Sequence, residues 1–112
     1  MAVKKDEEVA RLIWTEPALL DLDEVAEYIA LDDPAATPRF VQKVFGRVKR
    51  LEAHPNSGKR PPELTRTHYR EVVVAPCRIF YRVEKDAVYI LYIIRSERLL
   101  RAYLLELREQ QR

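Results

Sequence analysis

The sequence is poor in residues that many functional sites require. Its 112 residues include two glycines, one cysteine and two histidines. So few glycines disfavour a glycine-rich phosphate loop or a dinucleotide-binding fingerprint. The single cysteine, Cys77, excludes an internal disulfide and suits a reducing compartment. Because His54, His68 and Cys77 also lack metal-ligand spacing, we expect neither a metal nor a cofactor.

Long apolar runs are missing as well. None approaches the roughly 18–20 residues that a membrane-spanning helix needs. The amino terminus, MAVKKDEEVARLIW, turns acidic after two lysines, unlike a secretory signal. We therefore expect a cytoplasmic protein with no membrane partner. The length indicates one domain over residues 1–112, with a flexible leader at residues 1–8.

Charge is distributed unevenly along the chain. Residues 1–36 carry ten acids and three bases, a balance of −7, whereas residues 37–112 carry seventeen bases and eight acids, a balance of +9. Arginine outnumbers lysine, fourteen to six. This pattern indicates either a basic surface for an anionic partner or a solvated surface of mixed charge.

Hydrophobic periodicity predicts the element order β-α-α-β-β-β-α. Residues 9–14 are typical of a short strand, and Thr15 with Pro17 can begin a helix. A second helix reaches about Ala53, and its basic outer face suggests charge pairing with the acidic first helix. Strands are predicted at 69–74, 77–83 and 87–94, joined by connectors short enough only for hairpins. Helical spacing resumes over 97–109.

These elements predict a small α+β domain. We expect a mainly antiparallel four-stranded sheet with a helical hairpin on one face. In the middle strand, three apolar positions alternate with a set that we expect to face water, namely Arg78, Phe80 and Arg82. The last helix has an apolar stripe that can pack on the sheet or await a partner: Leu100, Tyr103, Leu104 and Leu107.

Three segments carry a family resemblance: WTEPALLDLDEVAEYIA, RFVQKVFGRVKRLEAHPNSGKR and YREVVVAPCRIFYRVEKDAVYILYIIRSERLL. In this joint order, over roughly residues 11–101, the chain resembles the RelE/ParE superfamily of bacterial toxin–antitoxin systems. The resemblance implies a growth-inhibiting, plasmid-stabilising type II toxin neutralised by a cognate antitoxin, commonly a ribbon-helix-helix protein. RelE-like members cut messenger RNA on the ribosome. ParE-like members share the fold, lack the nuclease residues and poison DNA gyrase.

The chemistry of RNA cleavage separates these two branches. Attack by the 2′-hydroxyl needs a base, charge stabilisation on the phosphate and an acid for the leaving oxygen. RelE-like members often place a histidine or tyrosine just after the last strand, where this chain has Arg95 and Ser96. Arginine stays protonated and cannot readily act as a base. Glu71 could do so, but we expect it to pair with an arginine.

We therefore expect no catalytic residue and favour a protein inhibitor of gyrase over an enzyme. A RelE-like, ribosome-dependent mRNA endonuclease is the alternative, and a non-toxic arginine-rich binding module is a third possibility. Candidate partners are the antitoxin, gyrase or its DNA, and, for the alternative, the ribosome and its message.

The segment after the last strand has two interpretations. In the first, Ser96 caps the last helix and Glu97 neutralises Arg95 or Arg98. In the second, the arginines of this segment join those of the middle strand on one surface that grips carboxylates or phosphates. The candidate partner-binding residues are then Arg78, Arg82, Arg95, Ser96, Glu97, Arg98 and Arg101.

Overall fold

The computed structural model describes residues 9–64 and 66–111, so the expected leader at residues 1–8 lies outside the described residues. Four strands form one sheet: β1 (Arg11–Trp14), β2 (Tyr69–Val74), β3 (Cys77–Glu84) and β4 (Ala87–Arg95). Their order in space is β1-β4-β3-β2. β1 is parallel to β4, and the other pairs are antiparallel hairpins. The predicted α+β class, strand positions and hairpins are confirmed.

Three α-helices accompany the sheet: α1 (Glu16–Asp32), α2 (Thr37–Lys49) and α3 (Ala102–Gln111). Short 3-10 turns follow α1 at Pro34–Ala36 and α2 at Arg50–Glu52. Thr15 begins α1 as predicted, because its hydroxyl accepts a bond from the Ala18 N–H at 3.4 Å. The same hydroxyl donates to the Ile90 carbonyl at 2.7 Å, which ties the start of α1 to the sheet.

The main core lies between the helical hairpin and one face of the sheet. Val44 and Val48 of α2 and Ile79 of β3 are fully buried there. Burying each such side chain stabilises the fold by about 1.5–3 kcal/mol. α1 and α2 lie wholly within the described residues, and no ion pair joins them. The predicted charge pairing between the two helices is therefore wrong, and apolar packing holds the hairpin.

The second face of the sheet is also covered. It carries a smaller apolar cluster, to which Phe80, Leu100 and Leu105 contribute. Phe80 is 0% exposed and Arg78 is buried, so the prediction that this face of β3 meets water is wrong. The physical reason is that α3 and the segment at 96–101 close over it.

The last helix is shorter than predicted. α3 begins at Ala102 rather than at residue 97, because the segment at 96–101 turns so that Leu100 enters the second cluster. Leu105 is the buried residue of α3, whereas Tyr103 and Leu107 are exposed. Within the described ranges, no helix has both the length and the apolar character needed to cross a membrane.

Candidate functional site

Arg78 is the most heavily bonded of the candidate residues. Its Nε donates to Glu71 Oε1 at 2.7 Å, and its two terminal nitrogens donate to the two oxygens of Glu63 at 2.9 and 2.7 Å. Its guanidinium also lies 4.9 Å from the centre of the Phe80 ring. Glu71 is 1% exposed, so this pairing, which the sequence predicted for Glu71, compensates a buried charge. Arg78 is therefore buried within a structural network of ion pairs.

Glu63 connects this ion pair to the segment after β4. One of its oxygens accepts a bond from the Leu100 N–H at 3.3 Å. Hydrogen bonding from Arg78 lowers the pKa of Glu63 to about 2, despite an opposing effect of burial. The carboxylate is therefore ionised at neutral pH and is too weak a base to take a proton from a hydroxyl.

Arg82 lies far from Arg78 on the same face of the sheet. The two residues are four positions apart in β3, which corresponds to roughly 13 Å along the strand. Arg82 Nη1 is 2.9 Å from Glu109 Oε2 near the end of α3. Burial and the nearby charge of Glu109 raise the pKa of Tyr69 to about 12, so this phenol keeps its proton. The ion pair between Arg82 and Glu109 holds the end of α3 against the sheet.

Arg95 points to the opposite face. It is paired in register with Cys77, whereas Arg78 is paired with Ile94, and neighbouring positions of a strand alternate between faces. Its guanidinium stacks over the ring of Tyr28 in α1 at 3.9 Å from the centroid. Arg95 Nε is 3.2 Å from Glu97 Oε2, so the predicted neutralisation of Arg95 by Glu97 is confirmed.

Ser96 does not cap the last helix. α3 begins six residues later, and the Ser96 N–H instead donates to the Pro76 carbonyl at 2.8 Å, extending the pairing of β3 with β4. The prediction of a helix cap at this residue is wrong, because the chain continues in a turn before α3 begins.

Arg98 and Arg101 differ from the other candidate arginines. Both are exposed, and within the described residues neither makes an ion pair or a side-chain hydrogen bond. They line a groove of about 470 Å³ with five other residues: Tyr92, Ile94, Leu99, Tyr103 and Leu104. Leu99 and Tyr103 are 79% and 63% exposed. This groove combines free positive charge with exposed apolar surface.

The prediction of one arginine surface is therefore wrong. Arg78 and Arg82 lie apart on one face, Arg95 lies on the other, and acids of the same chain hold all three. Arg108 was not among the predicted site residues, yet it lines a second groove of about 330 Å³ beside Arg95 and Arg98. Its pairing with Asp21 joins residues 87 positions apart, and no local pattern signals such a contact.

His68 and Cys77 are unsuited to proton transfer beside the candidate arginines that follow β4. The ring of His68 packs against Tyr69 at 4.5 Å, at the Arg82 end of β3, roughly 17 Å from the Arg95 end. Burial raises the pKa of the Cys77 thiol to about 12. In residues 9–64 and 66–111, no three His, Cys, Asp or Glu side chains converge in a way that could hold a metal ion.

The chain is similar in sequence to a family model and to individual proteins that are named as toxins. The chain matches the family model described as ParE toxin of type II toxin-antitoxin system, parDE, over residues 12–100. It is 42% identical over 78 residues to a Sinorhizobium fredii protein named as toxin Y4kP, which covers 68% of this chain and 78% of that protein. It is 32% identical over 91 residues to toxin RelE2 of Caulobacter vibrioides, covering 81% and 100%.

A solved structure shares the fold. It is the chromosomal ParDE TA system from P. aeruginosa, with a TM-score of 0.67 and 25% identity over 79% of this chain and 97% of that chain. The family match spans α1, α2 and strands β2 to β4, and ends just before α3. The chain belongs to the ParE toxin family of type II toxin–antitoxin systems.

Proposed function

We propose that this toxin acts by binding DNA gyrase and inhibiting it, and that it does not cut RNA. The observation that carries the proposal is that the acidic side chains near β3 and the end of β4 are paired with arginines. Glu71 and Glu63 both hold Arg78, and Glu97 holds Arg95. Hydrogen bonding from Arg78 lowers the pKa of Glu63 to about 2, which makes that carboxylate a poor proton acceptor.

The general acid that a nuclease requires is no better supplied. A general acid or base works best when its pKa is near the operating pH. Burial instead raises the pKa of Tyr92, and the pKa of Tyr69 rises to about 12. Both phenols keep their protons at neutral pH and release them reluctantly. A target that is bound requires none of this chemistry.

Family membership supports gyrase as the target. The resemblance to the ParE-like branch implies a gyrase-directed toxin, and the match to the ParE toxin family is consistent with that branch. The similar P. aeruginosa structure is named as a ParDE system. By analogy we propose that a cognate antitoxin, of the ribbon-helix-helix type, neutralises this chain. Such a toxin acts in the cytoplasm, where gyrase and the chromosome are.

A pair of assays tests the target. Purified gyrase is given relaxed plasmid and increasing toxin, and a parallel translation reaction is scored for cleavage of its message. We expect loss of supercoiling with intact message. Cleaved message with unimpaired supercoiling would overturn the proposal and favour the RelE-like alternative.

One control is essential because the chain is basic. Relaxation of supercoiled plasmid by topoisomerase I, at the same salt and toxin concentrations, reports non-specific coating of DNA. Gyrase must be inhibited at concentrations that leave topoisomerase I active. Equal inhibition of both enzymes would also contradict the proposal.

A further inference from the structure

Arg98 and Arg101 are cations that the fold leaves without a counter-charge. Their neighbours are held by acids of this chain: Arg78 by Glu63 and Glu71, Arg82 by Glu109, Arg95 by Glu97, and Arg108 by Asp21. Among residues 9–64 and 66–111, no acid pairs with Arg98 or Arg101. A guanidinium has five donors in a planar fork, and a carboxylate matches two of them at once.

The same surface exposes large apolar groups. Leu99 lies between the two arginines in sequence and is 79% exposed, and Tyr103 is 63% exposed. Both line the groove of about 470 Å³, together with Tyr92 and Ile94. Exposed apolar residues beside arginines at a concave site are typical of protein interfaces, in which aromatic and arginine side chains are enriched.

We propose that this surface, formed by Arg98, Leu99, Arg101 and Tyr103, binds an acidic segment of a partner protein. Acidic side chains of the segment contact the two guanidinium groups, and one large apolar side chain fills the groove between them. The inference rests on the proposed function in one respect, because that function supplies the antitoxin as the partner.

The surroundings favour a peptide over a nucleic acid. Asp21 and Glu24 line the adjoining groove, and Glu97 lies beside Arg98 in sequence. Arg108 pairs with Asp21 and Arg95 with Glu97, so Glu24 is the acid that disfavours a continuous chain of phosphates, whereas a peptide can place its acids at two points only. Ile94, Leu99 and Leu104 add aliphatic surface to the groove, which suits contact with an apolar side chain of a peptide.

Peptide selection tests the chemistry without assuming a partner. A random twelve-residue phage library is selected on the wild-type protein, and the enriched peptide is synthesised with a fluorescent label. We expect enrichment of Asp and Glu around a Leu, Phe or Trp. Anisotropy should show about tenfold weaker binding to Arg98→Glu/Arg101→Glu, and weaker binding at higher salt.

Matched variants make the result specific. Arg39→Glu/Arg50→Glu changes charge equally at exposed positions of the helical hairpin and should leave affinity unchanged. Leu99→Ala/Tyr103→Ala should weaken binding about fivefold through the apolar part of the surface. If a charge-reversed variant fails to fold by circular dichroism, Arg98→Gln/Arg101→Gln replaces it.

Several outcomes would overturn the inference. These are no enriched peptide, enrichment without acids, or binding that the Arg98 and Arg101 changes leave intact. Tighter binding to a single-stranded oligonucleotide than to the peptide, or self-association through this surface, would do the same. If the peptide binds as expected but the toxin does not inhibit gyrase, the proposed target is wrong and the proposed binding surface is still supported.

Discussion

The guanidinium of Arg108 in α3 donates two hydrogen bonds to the carboxylate of Asp21 in α1, at 2.8 and 3.0 Å. The two helices cover opposite faces of the sheet, so the pair passes around the edge of β4. β1 covers β4 only from Ala87 to Ile90. Beyond that point, Arg108 donates to the Leu91 carbonyl at 2.9 Å, and Asp21 accepts from the Ile93 N–H at 3.0 Å. The pair thus satisfies backbone groups at a part of the β4 edge that no strand of the described residues covers.

This ion pair should contribute to stability and fix α3. Replacing Asp21 by Asn leaves Arg108 partly buried without its counter-charge, and we expect the free energy of unfolding to fall by about 2 kcal/mol. Urea denaturation measures the change. Lys49→Ala, which removes the exposed pair with Glu52 at 3.0 Å, is the control and should cost less than about 1 kcal/mol. Equal effects of the two substitutions would contradict a structural role for Asp21.

The Glu63–Arg78 pair should make stability depend on acid pH. The pKa of Glu63 falls from its ordinary 4.5 to about 2 in the folded protein. A depressed pKa stabilises the fold above about 4.5, and this contribution is lost as the pH falls toward about 2. Glu63→Gln should therefore unfold more easily than wild type at pH 6, and the difference should shrink over that window.

Urea denaturation at several pH values measures that difference. Glu52→Gln, at the exposed pair with Lys49, serves as the matched control and should change the free energy of unfolding by less than about 1 kcal/mol. A difference between wild type and Glu63→Gln that stays constant from pH 6 to pH 2 would show that the ion pair does not stabilise the fold.

Substitution by alanine should change the free energy of unfolding in opposite directions at Gly58 and Gly46. A Cβ on Gly58 would lie 2.5 Å from the hydroxyl of Tyr81 and 2.7 Å from the Glu71 carbonyl. The Tyr81 hydroxyl accepts from the Gly58 N–H at 2.9 Å and donates to Pro55 at 2.8 Å, so it cannot yield freely. Gly58→Ala should lower the free energy of unfolding by about 1–3 kcal/mol.

Gly46 is the internal comparison. It lies within α2, and a Cβ there would meet nothing within 4 Å. Gly46→Ala should raise the free energy of unfolding by about 0.5–1 kcal/mol, because alanine loses less backbone freedom in a helix. Thermal or urea unfolding of both variants measures whether each substitution raises or lowers the free energy of unfolding. Stabilisation by Gly58→Ala would refute the close approach of Tyr81.

Cys77 should be unreactive in the folded protein. It is fully buried, and burial raises the pKa of its thiol to about 12, so the reactive thiolate is scarce at neutral pH. We expect one thiol to react with a disulfide reagent in guanidinium and almost none to react rapidly in native buffer at pH 8. Rapid native labelling would place Cys77 at the surface.

Local patterns in the sequence predict the elements well. The three strands of the hairpins are confirmed because alternation, turn residues and short connectors agree. The face of β3 could not be predicted in the same way. Arg78, Phe80 and Arg82 alternate with apolar residues, and this pattern predicts that their face of β3 meets water. Arg78 is buried, however, because Glu63 and Glu71 neutralise it.

The candidate site was only partly predictable, for a similar reason. Sequence spacing suggests which arginines are near one another along the chain, but it does not show which acids reach them. Glu63 and Glu109 come from a loop and from α3 to pair with arginines of β3. Arg98 and Arg101 were among the predicted binding residues, and their lack of a counter-charge was visible only once these pairings were known.

The topology of plasmid DNA in growing cells tests the central claim most directly. The toxin is expressed from an inducible promoter, and plasmid linking number and message length are followed before growth stops. We expect plasmid relaxation while messages stay full length. Messages cut at codon boundaries, with plasmid that stays normally supercoiled, would contradict it.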